Sequence, residues 1–155
     1  MTKTYQGLGL SLSYPENWQL SEDFEEGTLV GFQLQSPNTA FLSVIDFPWS
    51  KTPTAALDEV RAAIEAEYEE VEVEAIDPPA ILSQSGTLTD SRAVDLEFYY
   101  LDLLVHIRLI AFSQPHHTYL VQMQAEDRDF TACERVFEAM LYTLIQSTTL
   151  GKPQP

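Results

Sequence analysis

The residues able to do chemistry are few. Three histidines, His106, His116 and His117, are the only imidazoles, and histidine is the commonest base and metal ligand near neutral pH. His116 and His117 are adjacent in a Gln114-Pro115-His116-His117 turn, so their side chains diverge, and no third ligand stands at helical or strand spacing. His106 lies in an alternating run that follows a second run carrying Asp95 and Glu97. If Leu101-Asp102 is a two-residue turn, register puts Glu97 opposite His106 and Asp95 opposite Arg108. A His106/Glu97 face could serve a small-ligand binder or hydrolase, but an outward cross-strand ion pair accounts for the same residues. Cys133 is the one cysteine, so no internal disulfide forms. It falls on an apolar helical stripe beside Asp129 and Glu134, the setting of a small hydrophobe rather than an electropositive nucleophile.

The carboxylates Glu65, Glu67, Glu69, Glu70, Glu72 and Glu74 lack the alternate Asp/Asn spacing and turn glycine of a calcium loop. Gly7-x-Gly9 lacks the third glycine and following helix of a phosphate loop. Gly-x-Ser-x-Gly, Cys-x-x-Cys and His-Glu-x-x-His are all missing from the sequence. The expectation is therefore no catalytic set, no metal, no cofactor and no enzyme.

Charge points the same way. Against 24 Asp and Glu stand 8 Lys and Arg, a net charge of −16. Such a chain is repelled by nucleic-acid phosphates and anionic headgroups, and meets a basic partner faster than a neutral one. The first 13 residues lack a basic, apolar-centred signal sequence. No apolar run reaches the roughly 18 residues of a membrane span. These features predict a cytoplasmic protein whose partner is another protein, basic on charge grounds, with nucleic acid and membrane set aside and a homodimer compatible.

The elements that would position these residues read as follows. Leu8, Leu10, Leu12 and Tyr14 alternate with Gly9, Ser11 and Ser13, the period of a half-buried strand. Pro15-Glu16-Asn17 is a turn and Glu22 to Gly27 an acidic loop. Thr28 to Ser36 and Ala40 to Phe47 are strands joined by Pro37-Asn38-Thr39. Thr52-Pro53 opens a helix with a hydroxyl cap and proline in the first turn. Leu57, Val60, Ile64, Tyr68 and Val71 form its apolar stripe. From Asp58 to Glu74 there are eight acids and one base, Arg61, making this helix and its exit the most negative surface. The helix gives way to a short strand from Val71 to Ala75, and Asp77-Pro78-Pro79 ends it. Arg92 to Tyr100, Leu103 to Ser113 and Thr118 to Glu126 form a meander. A last helix, capped by Asp127 or Asp129, carries the stripe Phe130, Cys133, Phe137, Met140, Leu141 and Leu144. Residues 1–147 form one domain and 148–155 a flexible tail. This order argues α+β, with helices packed on an antiparallel sheet.

Two clusters of large amphipathic side chains near loop ends suit interface anchors: Phe47-Pro48-Trp49 and Phe98-Tyr99-Tyr100-Leu101. The candidate protein-binding residues are Trp49, Tyr99 and Tyr100, with Glu65, Glu69 and Glu70 on the acidic surface.

The opening Ser13-Tyr14-Pro15-Glu16-Asn17-Trp18 resembles the Tyr-Pro-x-x-Trp start of the PsbP-like superfamily. The order that follows is similar too. A strand pair ends near Phe47-Pro48, an acidic helix follows, and Gly86 leads into Arg92-Ala93-Val94. Three long strands and a closing helix with Phe130, Phe137 and Thr143-Leu144-Ile145-Gln146-Ser147 complete it. The resemblance spans roughly residues 5 to 147. It implies a twisted antiparallel sheet of about six strands with helices on both faces. Its members include the extrinsic photosystem II subunit PsbP, a Ran-binding nuclear-import factor and bacterial DcrB-like proteins, some of them chaperones for secretion effectors. In common they imply protein binding without catalysis. The chain departs from PsbP in lacking its basic character and leader, and no family binding residue transfers by motif. The leading expectation is a non-enzymatic adaptor. The alternative is a DcrB-like dimeric chaperone cradling an effector against Trp49, Tyr99 and Tyr100.

Overall fold

In the computed structural model, which describes residues 1–48, 50–82 and 90–148, alternating sequence becomes sheet almost throughout. β1 (Thr2–Gly7) and β2 (Leu10–Pro15) form a separate antiparallel hairpin. Then come β3 (Gln19–Glu25), β4 (Thr28–Gln35), β5 (Phe41–Pro48), α1 (Pro53–Glu67) and β6 (Glu72–Ile76). A single 3-10 turn, Ala80–Leu82, precedes β7 (Ser91–Tyr100), β8 (Leu103–Gln114), β9 (His117–Glu126) and α2 (Asp127–Gln146). The large sheet is antiparallel, in the order β3-β4-β5-β9-β8-β7-β6.

Seven strands take part, against about six expected. The difference is β3, where the acidic stretch Glu22 to Gly27 reads as a loop. β3 is an outer edge and all seven of its residues are exposed, so burial imposes no alternation on its sequence. β1 escapes sequence reading for the same reason, since Tyr5 is its one buried residue. The edge strands carry charge, Glu22, Asp23 and Glu25 on β3 and Glu72 and Glu74 on β6, which discourages edge-to-edge pairing with other chains.

The sheet has two buried faces. On one, Leu96, Phe98, Ile107, Leu109 and Leu120 meet Ala56, Leu57 and Ile64 of α1. On the other, Ala93, Ile110, Phe112, Val121 and Met123 meet Phe130, Phe137, Met140 and Leu144 of α2, joined by Leu12 and Tyr14 of the small hairpin. β8 shows the switch directly: Ile110 and Phe112 face α2 while Leu109 and Ala111 face α1, the period of two expected of a strand covered on both sides. Helices therefore pack on opposite faces.

Local chemistry sets the helix starts. Thr52 Oγ1 accepts the Ala55 N–H at 3.1 Å, and Pro53 follows it, as the sequence predicts. α2 is capped one residue earlier than expected. The Glu126 carboxylate, not Asp127 or Asp129, accepts the N–H groups of Arg128 and Asp129. Asp129 is drawn instead to Thr39, whose N–H and hydroxyl both donate to it. Beyond Gln146, Ser147 closes α2 and Thr148 is buried; the rest of the expected tail lies outside the described residues.

Candidate binding cleft at the sheet edge

The β7–β8 hairpin turns on Leu101-Asp102, as expected, and both residues have positive φ, 51° and 65°. Glycine and asparagine adopt that geometry cheaply; leucine does not. Leu101 is also 79% exposed, so the hairpin holds a large apolar side chain at its tip against local preference. Alternation divides the neighbouring aromatics. Phe98 is buried and stacks on Tyr68 at 4.2 Å, and Tyr100 meets Tyr68 edge-on at 5.6 Å. Tyr99 points to the opposite face and is 72% exposed. The run Phe98 to Leu101 is thus not one patch: Phe98 finishes the α1 core, and Tyr99, Leu101 and the half-open Tyr100 and Leu103 form an exposed tip.

Beside that tip the chain leaves α1 at Tyr68, turns through Glu69 and Glu70, and enters edge strand β6. Glu70 takes a positive φ of 52° in the turn. The result is a concavity of about 740 Å³ lined by Glu69, Glu70, Val71, Glu72, Glu97, Phe98, Tyr99 and Leu104. Glu72 and Glu97 are register partners across β6 and β7, and like charges directly opposite are destabilising. No ion pair engages any of the four carboxylates among the described residues. Cleft and tip together present uncompensated negative charge beside exposed aromatic and aliphatic surface.

The His106 face behaves differently from the expected outward ion pair. The predicted register holds, Glu97 opposite His106 and Asp95 opposite Arg108, but α2 covers this face. His106 stacks on Phe130 of α2 at 3.9 Å and is bonded to Asp95, not Glu97, with Nε2 to Oδ2 at 3.1 Å. Arg108 donates twice to Asp95, at 2.8 and 3.0 Å. Burial pushes the Asp95 carboxyl up, and the hydrogen bonds from His106 and Arg108 more than offset it, leaving it at about 2. The carboxylate is held charged as the hub of a half-buried triad. A sequence cannot show that a helix 20 residues downstream will close over this row.

No protein-family model and no curated protein matches this sequence. Comparison of the fold does find similar solved structures. The solution structure of cyanobacterial PsbP from Synechocystis sp. PCC 6803 matches with a TM-score of 0.61 over 92% of this chain and 90% of that one, at 12% identity. LpqN of Mycobacterium tuberculosis, described as involved in cell envelope biogenesis, matches with a TM-score of 0.50 over 90% of this chain and 87% of that one, also at 12% identity. The chain has the PsbP-like fold. At 12% identity the likeness carries the architecture and no activity.

Within this PsbP-like fold the other candidates are scattered. Glu65 is on α1 and pairs with Arg61 at 2.7 Å, outside the cleft. Trp49 lies outside the described residues. Of the expected binding residues, the fold brings Tyr99, Glu69 and Glu70 into one cleft and turns Tyr100 to the other face of β7, against Tyr68. Sequence reading did not place Glu72 and Glu97 there. The signal available was the short acidic strand pairing with the Asp95/Glu97 run. His117 bonds Asp46 at 3.0 Å and stacks on Tyr119, while His116 occupies the turn at φ 69°. A second concavity, about 450 Å³, lies between the 3-10 turn and α2 and is lined largely by apolar side chains such as Ile76, Ile81, Met123 and Phe137. Burial and the neighbouring Asp129 push the Cys133 thiol up to about 11, which suits a packing residue rather than a nucleophile. Among the described residues, no helix is long and apolar enough to cross a membrane.

Proposed function

We propose that this protein is a non-enzymatic binding module whose cleft at the β6–β7 edge takes a basic, partly apolar segment of another protein. The observation that carries the reading is the convergence of Tyr99 with Glu69, Glu70, Glu72 and Glu97 in one concavity. Four carboxylates without an ion-pair partner among the described residues, two of them facing each other across strands, are a local cost that a cationic partner removes. Exposed ion pairs contribute only about 0.2–1 kcal/mol each. The carboxylates therefore act mainly through encounter rate and register, and contact area comes from Tyr99, Leu101 and Leu104. Tyr99 further offers its ring face to a Lys or Arg, worth about 0.5–1 kcal/mol at an exposed site.

The test uses a fluorescent peptide alternating Arg and Leu, followed by anisotropy at low and moderate salt. Saturable binding that falls about tenfold in Tyr99→Ser and in Glu69→Lys/Glu70→Lys supports the reading. A Glu59→Lys/Glu65→Lys variant makes the same charge change outside the cleft and should bind as wild type does. Equal losses in both charge variants would show that the net charge of −16 attracts any polycation, and would overturn the assignment. Light scattering that finds a dimer dispersed by Leu101→Asn would reassign the tip to self-association.

A further inference from the structure

The chain leaves β6 at Ile76, runs through Asp77-Pro78-Pro79 and enters the core at Leu82, which is 1% exposed. Two consecutive prolines restrict φ along that crossing, and the Leu82 N–H donates to the Pro79 carbonyl at 3.0 Å. The segment therefore stands as a firm wall. α2 stands opposite it, and between the two lies the concavity of about 450 Å³. Its base is the sheet together with the inner row of α2: Ile110, Met123, Phe137 and Leu141, all buried core residues. Well-packed cores leave few voids larger than a water molecule, and small-molecule pockets start at about 300 Å³ and are apolar with a few placed polar groups. This concavity has that size and that composition.

The charged groups decide what it would take. Glu134 and Glu138 line it one helical turn apart on α2, where like charges repel, and Asp77 adds a carboxylate from the opposite wall. The cation in the lining, Arg108, is already matched. Its Nε and Nη2 donate to Asp95 at 2.8 and 3.0 Å, while Nη1 reaches Glu134 only at 4.0 Å. Glu138 and Asp77 enter no ion pair among the described residues. An anionic ligand would meet this excess of carboxylates, and a neutral one would leave it uncompensated. Tyr142 also lines the cavity and is 51% exposed, with its hydroxyl accepting from Gln146 at 2.8 Å. An aromatic ring beside carboxylates favours a cation.

We propose that this concavity binds a small organic monocation, with an apolar body seated on Ile110, Met123 and Phe137 and one ammonium group directed to Glu134 and Glu138. Burial of the apolar body supplies most of the affinity. The carboxylates stand at a partly exposed rim, where each contributes little to affinity, so their part is to select the head group. The cavity shares no lining residue with the acidic cleft at the β6–β7 edge, and this binding is a second capacity of the fold, independent of the peptide-binding reading.

Three probes with one body and different heads test it: 4-phenylbutylamine, 4-phenylbutanol and 4-phenylbutyrate, each titrated into the full chain at pH 7 and followed by amide and methyl NMR. The expected result is saturable shifts at Ile81, Ile110, Met123 and Leu141, with a Kd for the amine on the order of 0.1–1 mM. The amine should bind about fivefold tighter than the alcohol, and the carboxylate weakest. Glu134→Gln/Glu138→Gln should bring the amine down to the alcohol and leave the alcohol unchanged. Glu59→Gln/Glu65→Gln makes the same charge change on α1 and should bind as wild type does. Ile81→Trp fills the cavity and should abolish all three; if it does not fold, the Glu134/Glu138 variant, which alters no buried residue, decides alone. The proposal fails if no probe saturates, if the carboxylate binds as well as the amine, if both charge variants lose the amine equally, or if the shifts lie outside the cavity. Cavity resonances that move on dilution of the free protein would assign the concavity to a second copy and overturn it as well. The Arg/Leu peptide should bind the Glu134→Gln/Glu138→Gln variant as it binds wild type, so either reading can fall without the other.

Discussion

Asp95 and Arg108 face each other across β7 and β8 and are joined by two hydrogen bonds, Nε to Oδ1 at 2.8 Å and Nη2 to Oδ2 at 3.0 Å. Their side chains are 13% and 24% exposed. The pair is neither a surface ion pair nor a fully buried one, and Phe130 covers it, with the guanidinium 5.3 Å from its ring centre.

That position predicts asymmetric mutational effects. Asp95→Ala leaves the Arg108 charge and the His106 Nε2 proton half-buried without an acceptor, and should cost about 2–3 kcal/mol, somewhat below the penalty of a fully buried pair. Replacing both, Asp95→Leu with Arg108→Met, removes the charges together and should restore most of the loss. Urea unfolding of the two single variants and the double variant measures the coupling. If the double variant is as unstable as the sum of the singles, the pair is not an energetic unit.

The β7–β8 turn yields a prediction of opposite sign. Leu101 and Asp102 both occupy left-handed backbone geometry, which Asn-Gly adopts at lower cost. Leu101→Asn with Asp102→Gly should therefore stabilise the fold by about 1 kcal/mol. The same change removes the most exposed leucine of the tip and should weaken binding of the Arg/Leu peptide. Gain in stability with loss of binding is the pattern of a residue kept for a surface role; a stability loss would show that Leu101 packs where it stands.

Much of the fold is legible in the sequence because burial writes it there. The alternation in β7, β8 and β9, the Thr52-Pro53 helix start and the two apolar helical stripes all follow from one face being hidden. β1 and β3 are not legible, since strands exposed along most of their length carry no alternation to read. The site divides similarly. Tyr99, Glu69 and Glu70 stand out by type and run, whereas their meeting with Glu72 and Glu97 depends on β6 pairing with β7 in one register. The Asp95–His106–Arg108 triad is half legible: register brings its strands together, but its cover, Phe130, comes from α2 and has no signature in either strand.

Cys133 should be a slow thiol. Burial, then the Asp129 charge and the hydrogen bond to its carboxylate, keep the sulfur protonated up to about 11. A thiol whose pKa is raised on folding holds its proton longer than in the unfolded chain. Its contribution to stability is therefore complete below the ordinary thiol range and is lost as pH rises from there through about 11. Reaction of the native chain with a disulfide reagent should be sluggish at pH 8 and accelerate only at strongly alkaline pH, while the unfolded chain reacts at once. Rapid modification of the folded protein near pH 8 would contradict the packing assigned to this residue.

The small hairpin should be held to the molecule as much by two hydroxyls as by its apolar residues. β2 pairs with β1 on one side, and on the other its Ser11 and Ser13 N–H groups donate to Ser147 Oγ at 2.9 Å and Thr143 Oγ1 at 3.0 Å, both from the end of α2. Helix side chains thus stand in for a missing strand and satisfy an edge that would otherwise be open. Thr143→Val keeps the shape and removes the acceptor, leaving a part-buried amide unpaired at a cost of about 1–3 kcal/mol. Leu10, Leu12 and Tyr14 remain packed against Phe137, Leu141 and Leu144, so the hairpin should stay docked while its edge opens more often. Hydrogen exchange should report this as faster exchange at Ser13 alone for Thr143→Val and at Ser11 alone for Ser147→Ala, with the β8 and β9 amides unchanged. Uniform acceleration across the sheet would mean instead that hairpin and sheet unfold as one cooperative unit.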